Sequence, residues 1–423
     1  MTLKRSSFLN FIINFIYMFF SNILKNIFGF IREIILAYIF GSSLIFAFYI
    51  LLKTAVDFLS QFTFGNALEA NLLPKLSSHF IKYRNVSYNN LFVFTRKVSI
   101  YIFVISLIIQ ICIILQLKSS YTYILLLVSI ILSFLMSINF FNSVFLTVLK
   151  SEGNFKKYSI STAISLFYST VFLYPLAIII NVLGVAISRL IGVLFLTMRY
   201  VQPILKRKIS NEINISRKDF SISVLLLANL PSMILLLSRF ISGTDGDNNI
   251  AYFNYAIVFL NVVFTAIILN INSLMLRKMS ISKNLNWFFY SVLFGFLCGI
   301  SIFLFAQNYS ISFIELVYFR GAFTYDDIFK TAVYFKNMSG AIVILILSSI
   351  ISQPYFTLDF SIRKKFSKNI LFGILISFII ILLILFLNDW TAFKRSLIIL
   401  YFMSFINLIF SVYSFIKYYN NEG

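Results

Sequence analysis

Long apolar runs alternate with short polar connections along the whole chain, and each run approaches or exceeds the roughly 20 residues a helix needs to cross a bilayer. The first covers about 8–40 and the second about 44–73, closing at Pro74. Others lie near 98–117, 121–149, 158–181 and 184–204, the last two joined only by Asn181-Val182-Leu183-Gly184. The longest polar connection, about 205–219, falls near the midpoint. Beyond it, runs lie near 220–242, 250–275, 286–306, 328–356, 370–388 and 395–417. The pattern predicts an all-α polytopic membrane protein of about 12 transmembrane helices. The midpoint connection divides it into an N-terminal six-helix lobe, 1–205, and a C-terminal six-helix lobe, 206–423. Equal halves are a feature of transporters built from repeats, with the site at the repeat interface near the membrane midplane. The halves share no convincing sequence identity, so that expectation rests on hydropathy.

Composition sharpens the class. Of 423 residues 60% are hydrophobic and 12% charged, where a soluble domain carries about 25% charged residues. No soluble architecture hides that much apolar surface. The opening run is too long for a signal peptide and lacks a small-residue cleavage site, so it is expected to be a retained span. The net charge of +21 punctuates the spans instead of forming a soluble basic face, which removes nucleic acid as a partner. Connections after the second, fourth, sixth, eighth and tenth runs are basic. The others are short, neutral or partly acidic, with Asp245, Asp247, Asp326, Asp327 and Asp389. That alternation predicts a multi-pass membrane protein with both termini cytoplasmic. Cys112 and Cys298 lie on separate spans and the one histidine, His79, lies in a connection, so neither a disulfide, a metal site nor histidine catalysis is expected. The 52 phenylalanines and 24 tyrosines accompany an excess of Ile, Asn and Lys, the bias of an AT-rich genome.

Candidate chemistry is confined to charges at membrane depth. A charged side chain there costs roughly 3 kcal/mol on insertion scales, so it is retained where it faces water, a partner or a ligand. Lys25 and Arg32 are two helical turns apart and share a face, whereas Glu33 lies about 100° round from Arg32. Lys25 suits either snorkelling or a cavity position. Lys53 and Asp57, at i and i+4, suit a structural pair or a site, and Glu69 and Arg239 suit interfacial positions. Arg32 and Arg189 have apolar sequence on both sides and are expected to line an aqueous cavity. Their forked donors suit phosphate. No phosphate loop, metal-ligand spacing or catalytic triad order is present. The chain is therefore expected to be no enzyme and to use no cofactor, its work coming from membrane potential or a Na+/H+ gradient.

Two stretches carry a family resemblance. Gly29-Phe30-Ile31-Arg32-Glu33, followed by Ala37-Tyr38-Ile39-Phe40-Gly41 and by Ala67-Leu68 leading to Pro74, resembles the opening of the bacterial lipid II flippase family. That family is the mouse-virulence-factor (MviN-like) branch of the multidrug/oligosaccharidyl-lipid/polysaccharide exporter superfamily. Glu315 to Asp327, with its Arg320-Gly321-Ala322-Phe323-Thr324 core and trailing acids, is similar to the signature before that family's tenth helix. The resemblance implies two six-helix lobes around a central cationic cavity, turning a polyprenyl-diphosphate-linked saccharide across the membrane by alternating access.

On this resemblance Arg32, Lys25, Lys53 and Arg189 are the expected substrate-binding residues, and Glu33, Asp57 and Arg239 the ion or gating candidates. Gly29, Phe30, Gly41, Pro74, Arg320, Gly321, Phe323 and Asp327 are the family motif. The chain departs from the family at Asn26 (usually arginine), Ala47 (usually an acid) and Ser60 (usually basic), lacks its eighth-helix arginine near Tyr255, and has about two spans fewer. An O-antigen or capsule-type unit therefore stands beside a lipid II-like precursor as the expected cargo. The expected partners are that lipid-linked saccharide, membrane lipids and glycan assembly proteins. Two other readings are a cation-coupled multidrug exporter of the same superfamily, which would use Asp57 and Glu33, and a non-transporting scaffold of a glycan assembly complex.

Overall fold

A computed structural model describes residues 2–63, 76, 88–117, 119–205, 222–263, 272, 285–357, 360–386 and 389–422. Pro74, Ala67, Leu68, Glu69 and His79 lie outside these residues, as do Lys75 and the basic connections at 77–87, 206–218 and 277–283.

The described chain is helical, as it must be where lipid offers no partner for backbone N–H and C=O groups. Helices α1 (Thr2–Phe40), α2 (Leu44–Thr63), α3 (Asn89–Leu117), α4 (Thr122–Ser151), α5 (Phe155–Val171), α6 (Leu173–Leu196) and α7 (Gln202–Leu205) make the first half. The second half has α8 (Ile222–Ile241), α9 (Asn249–Val263), α10 (Asn286–Tyr318), α11 (Tyr325–Ile351), α12 (Phe360–Phe386) and α13 (Ala392–Glu422). Among the described residues eight helical segments are long and apolar enough to cross a membrane, and the helices at Asn229–Ile241 and Asn249–Val262 are apolar but shorter. The protein is thus a multi-pass membrane protein. Between α6 and α7 the turns widen to π-helix at Thr197–Val201, where Pro203 has no N–H to give the carbonyl one turn back.

The chain forms two compact units, Met1–Ile35 with Ala55–Ser221 and Leu36–Thr54 with Ile222–Gly423. This grouping is less simple than a division at 205/206, because the end of α1 and the start of α2 count with the second half.

In the first unit α6 holds a chain reversal. Ile180 and Asn181 leave helical geometry, Asn181 at φ 55°, a region that asparagine tolerates better than most residues. The Asn181 side-chain oxygen accepts the N–H of Val182 at 2.8 Å. The reversal therefore falls at Ile180–Asn181, at the start of the expected connection Asn181–Gly184, and the second arm is helical from Val182 on. Past it the arms pack almost backbone to backbone. A Cβ on Gly184 would strike the Leu176 carbonyl, and one on Gly192 the Ser165 carbonyl. The Ser165 hydroxyl donates to Gly192 O at 2.8 Å. Gly184, Ser188 and Gly192 recur every fourth residue, as do Ser161, Ser165 and Ser169 on α5, so two small-residue stripes face each other. This is the packing that membrane helices use where lipid supplies no hydrophobic drive. Between α3 and α4 the seam is polar: Gln110 Nε2 donates to Ser133 Oγ at 2.7 Å and to Ser106 Oγ at 3.1 Å.

In the second unit an apolar core runs through Phe253, Phe335, Met338, Ile342 and Leu400. Against it the α1–α2 turn docks on the α10–α11 turn. Ala322 N–H donates to Tyr38 O at 2.9 Å, Tyr255 OH to Gly41 O at 2.8 Å, and Ser42 Oγ to Asp327 Oδ1 at 2.5 Å. Tyr252 OH also reaches Asp327 Oδ1, at 3.2 Å. The other oxygen of Asp327 accepts from Thr324 N and Oγ1 at 2.8 and 3.0 Å, closing a capping box at the start of α11. Gly41 (φ +51) and Gly321 (φ +59) lie against the backbones of Ala322 and Tyr38 respectively, with no room for a Cβ.

Gly41→Ala should therefore lower stability by about 1–3 kcal/mol, through left-handed strain and a clash with a carbonyl, read as a fall in melting temperature in detergent. Gly153→Ala, also at positive φ (+77) but in open space, should cost less. Equal losses would refute the close contact at Gly41.

Candidate functional site

A cavity of about 320 Å³ opens within the first unit, lined by Gly29, Arg32 and Glu33 of α1, Leu135 and Asn139 of α4, Ser165, Leu166 and Ser169 of α5, and Arg189 and Val193 of α6. Four helices thus converge on two guanidinium groups and one carboxylate. Arg32 is only 3% exposed. Its Nη1 donates to Ser169 Oγ at 2.5 Å and Ser169 O at 3.3 Å. Its Nη2 donates to Val185 O at 3.1 Å and Ser188 Oγ at 3.4 Å. The fork therefore bridges α5 and the second arm of α6 at the small-residue stripes, where missing side-chain bulk leaves space for it. A buried guanidinium persists when its donors are met in this way. Arg189 is half-buried on the cavity wall, and Glu33 is 6% exposed beside it. The arrangement gives an anion-sized recess whose charged lining, two guanidinium groups and one carboxylate, is net positive, and burial strengthens electrostatic interactions there.

The expected site residues divide. Arg32, Arg189, Glu33 and Gly29 come together in this cavity, and Phe30 is half-buried next to them in sequence. Lys25 lies elsewhere, with its ammonium 5.4 Å from the Tyr158 ring. Lys53 is buried on α2 among the residues of the second unit, and Asp57 is half-buried further along the same helix. Arg239, expected at an interface, is instead 6% exposed, and its Nη1 donates to Asn254 Oδ1 at 3.0 Å. Burial against the α9 asparagine is what keeps it from water.

Four of the motif residues gather in the second unit's turn–turn joint. Gly41, Gly321 and Asp327 make the contacts given above, and Phe323 packs on Tyr255 and Tyr318 at 5.3 and 5.6 Å between ring centroids. Arg320 is exposed and returns to its own helix, Nη2 to Leu316 O at 3.3 Å. A second cavity, about 400 Å³, is lined by Leu44, Asp247, Asn248, Asn249, Tyr252 and Lys330. Burial pushes the Asp247 carboxyl above its ordinary range, against the lowering effect of the Asn249 N–H. A raised carboxyl favours the folded state when protonated, a contribution lost as pH rises through the folded value.

Residues missed by the sequence reading are Ser165, Ser169, Ser188 and Asn139. The fourth-residue spacing of Ser161/Ser165/Ser169 and Gly184/Ser188/Gly192 was the available signal. It marks close helix contact, and the buried arginine has its partners where such stripes meet.

No family model and no curated protein matches the chain. The fold is that of polytopic transporters. A solved structure described as lipid II flippase MurJ in an inward closed conformation superposes with a TM-score of 0.71 at 17% identity, covering 97% of this chain and 90% of that one. An outward-facing multidrug resistance MATE family transporter of the MOP superfamily gives 0.59 at 13% identity, over 96% and 94% of the chains. A MOP superfamily transporter from Pyrococcus furiosus, described as having a binding pocket of reversed polarity, gives 0.53 at 14% identity, over 98% and 94%. The resemblance seen in the two sequence stretches holds at the level of the fold.

Arg32→Lys keeps the charge but not the fork and should destabilise the first unit. Arg32→Ala should cost about 3 kcal/mol, the worth of one or two charged hydrogen bonds, with melting in detergent as the readout. Unchanged melting in both would contradict the bridging role. Asp247→Asn should raise the melting temperature at pH 7 more than at pH 4, and the opposite ordering would contradict the raised carboxyl.

Proposed function

We propose that the protein is an inner-membrane transporter that turns an undecaprenyl-diphosphate-linked saccharide, an O-antigen or capsule-type unit or a lipid II-like precursor, across the bilayer by alternating access. The observation that carries this reading is the cavity in which Arg32 and Arg189 meet inside an apolar helical unit. Two fixed cations in a poorly solvated recess suit a diphosphate, the anionic group common to such substrates. Arg189 and Asn139 would meet the phosphoryl oxygens, while Arg32 holds α5 and α6 around them. Moderate affinity at few charges lets the anion leave as well as arrive. Both termini would face the cytoplasm, glycan assembly proteins would supply and take up the lipid, and membrane potential or a Na+/H+ gradient would supply the work.

A second reading, a cation-coupled multidrug exporter, has its support in Glu33, a buried carboxylate on the same cavity wall. The two readings differ in which charge matters. In a flippase-deficient strain, Arg189→Ala should lower glycan display or growth at least about tenfold at unchanged protein level, the effect of losing roughly 1.4 kcal/mol of binding. Glu33→Gln should be nearly silent. Full complementation by Arg189→Ala would overturn the anion reading, and a drug-resistance phenotype abolished by Glu33→Gln would replace it with the exporter.

A further inference from the structure

A second group of cations lies outside the arginine cavity, where α4 turns into α5. Lys150, in the last turn of α4, holds its Nζ 4.0 Å from the centre of the Tyr158 ring, and Lys25 of α1 holds its own 5.4 Å from the same centre. An ammonium on an aromatic face is positioned and partly stripped of water. Two of them on one ring are like charges less than about 10 Å apart, which raises the local positive potential. Exposed Lys156 and Lys157 add to it. The carboxylate of this turn, Glu152, accepts from Tyr88 OH at 3.0 Å and from Asn154 Nδ2 at 3.3 Å. Among the described residues of this turn and Lys25, four lysines stand beside this one glutamate, a net positive set. α1 is tied to α5 here by Ser21 Oγ, which donates to Ser159 O at 2.8 Å.

Position adds to charge. Gly29, one turn beyond Lys25, lines the arginine cavity, and Arg32 follows at two turns, a rise of about 10 Å. Lys25 and the cavity therefore succeed one another along one face of α1. Beside them α5 exposes Ile160, Phe167 and Val171, an apolar strip along which a hydrocarbon chain would remain in lipid.

We propose that Lys25 and Lys150, seated on Tyr158, form a docking station for the diphosphate of a prenyl-linked substrate, distinct from the arginine cavity and reached before it. The inference rests on the transport reading above and divides the anion's path into two stops. Lysine suits the first, since a mobile point charge captures phosphate without demanding one orientation.

The test measures binding of farnesyl diphosphate to the purified full-length protein in detergent. Lys25→Gln/Lys150→Gln should weaken binding about tenfold and flatten its salt dependence. Tyr158→Leu, which keeps both charges, should weaken it several-fold, and Lys25→Arg/Lys150→Arg should stay within about twofold of the original. Lys156→Gln/Lys157→Gln removes equal charge from exposed, screened positions and should weaken binding only about twofold. Equal losses in the two lysine-to-glutamine pairs would overturn the station, leaving only general surface charge. Displacement of the probe by phosphatidylglycerol at equal concentration would overturn the assignment to a diphosphate. Silence of Lys25→Gln/Lys150→Gln with loss of binding in Arg189→Ala would remove the station and leave the transport reading intact. No binding of the probe by the unaltered protein would remove both.

Discussion

The first unit depends on the burial of one guanidinium. Arg32 lies at 3% exposure inside a helical membrane unit, where an unmet charge would cost several kcal/mol. It is tolerated because two carbonyls and two hydroxyls on two other helices accept from it. That requirement explains nearby features that otherwise look unrelated. The serine and glycine stripes let α5 and the second arm of α6 approach closely enough for one fork to span them. The reversal at Asn181 brings the second arm back alongside, and the cavity opens where the stripes give way to Arg189 and Asn139.

A different constraint governs the second unit. Two tight turns, one carrying Gly41 and the other Gly321, present backbone to backbone, and neither has space for a side chain at the contact. Asp327 satisfies the start of α11 with one oxygen and ties down Ser42 and Tyr252 with the other. Sequence motifs nearly 300 residues apart are thus the two sides of one joint. The joint accounts for the grouping of Leu36–Thr54 with the second half of the chain.

Hydropathy made the helices legible, including the short turn at 181–184, because each run had to satisfy its own backbone in lipid. The spans in the second half were legible for the same reason. The site was legible only in part. Arg32 and Arg189 stood out as charges with apolar sequence on both sides, and they do share a cavity. Their partners did not stand out, since serines and glycines in a membrane helix are individually unremarkable and only their fourth-residue spacing carries information. Lys25 shares a helical face with Arg32, as the periodicity required, yet it ends on a tyrosine ring with Lys150, because Tyr158 was invisible to reasoning along α1 alone. Arg239, read as interfacial from its nearness to a polar turn, has a buried partner in Asn254 that the sequence did not reveal.

The functional account reduces to a cationic recess for a lipid-borne anion in a fold shared with transporters. Its direct test is translocation in proteoliposomes containing a fluorescent, short-chain prenyl-diphosphate-linked sugar, with a membrane-impermeant quencher added outside. The account predicts that the protein moves the protected half of the lipid into reach of the quencher, and that Arg189→Ala abolishes this movement while the protein remains folded. Translocation at the same rate with Arg189→Ala, or none above protein-free vesicles with the unaltered chain, would contradict it.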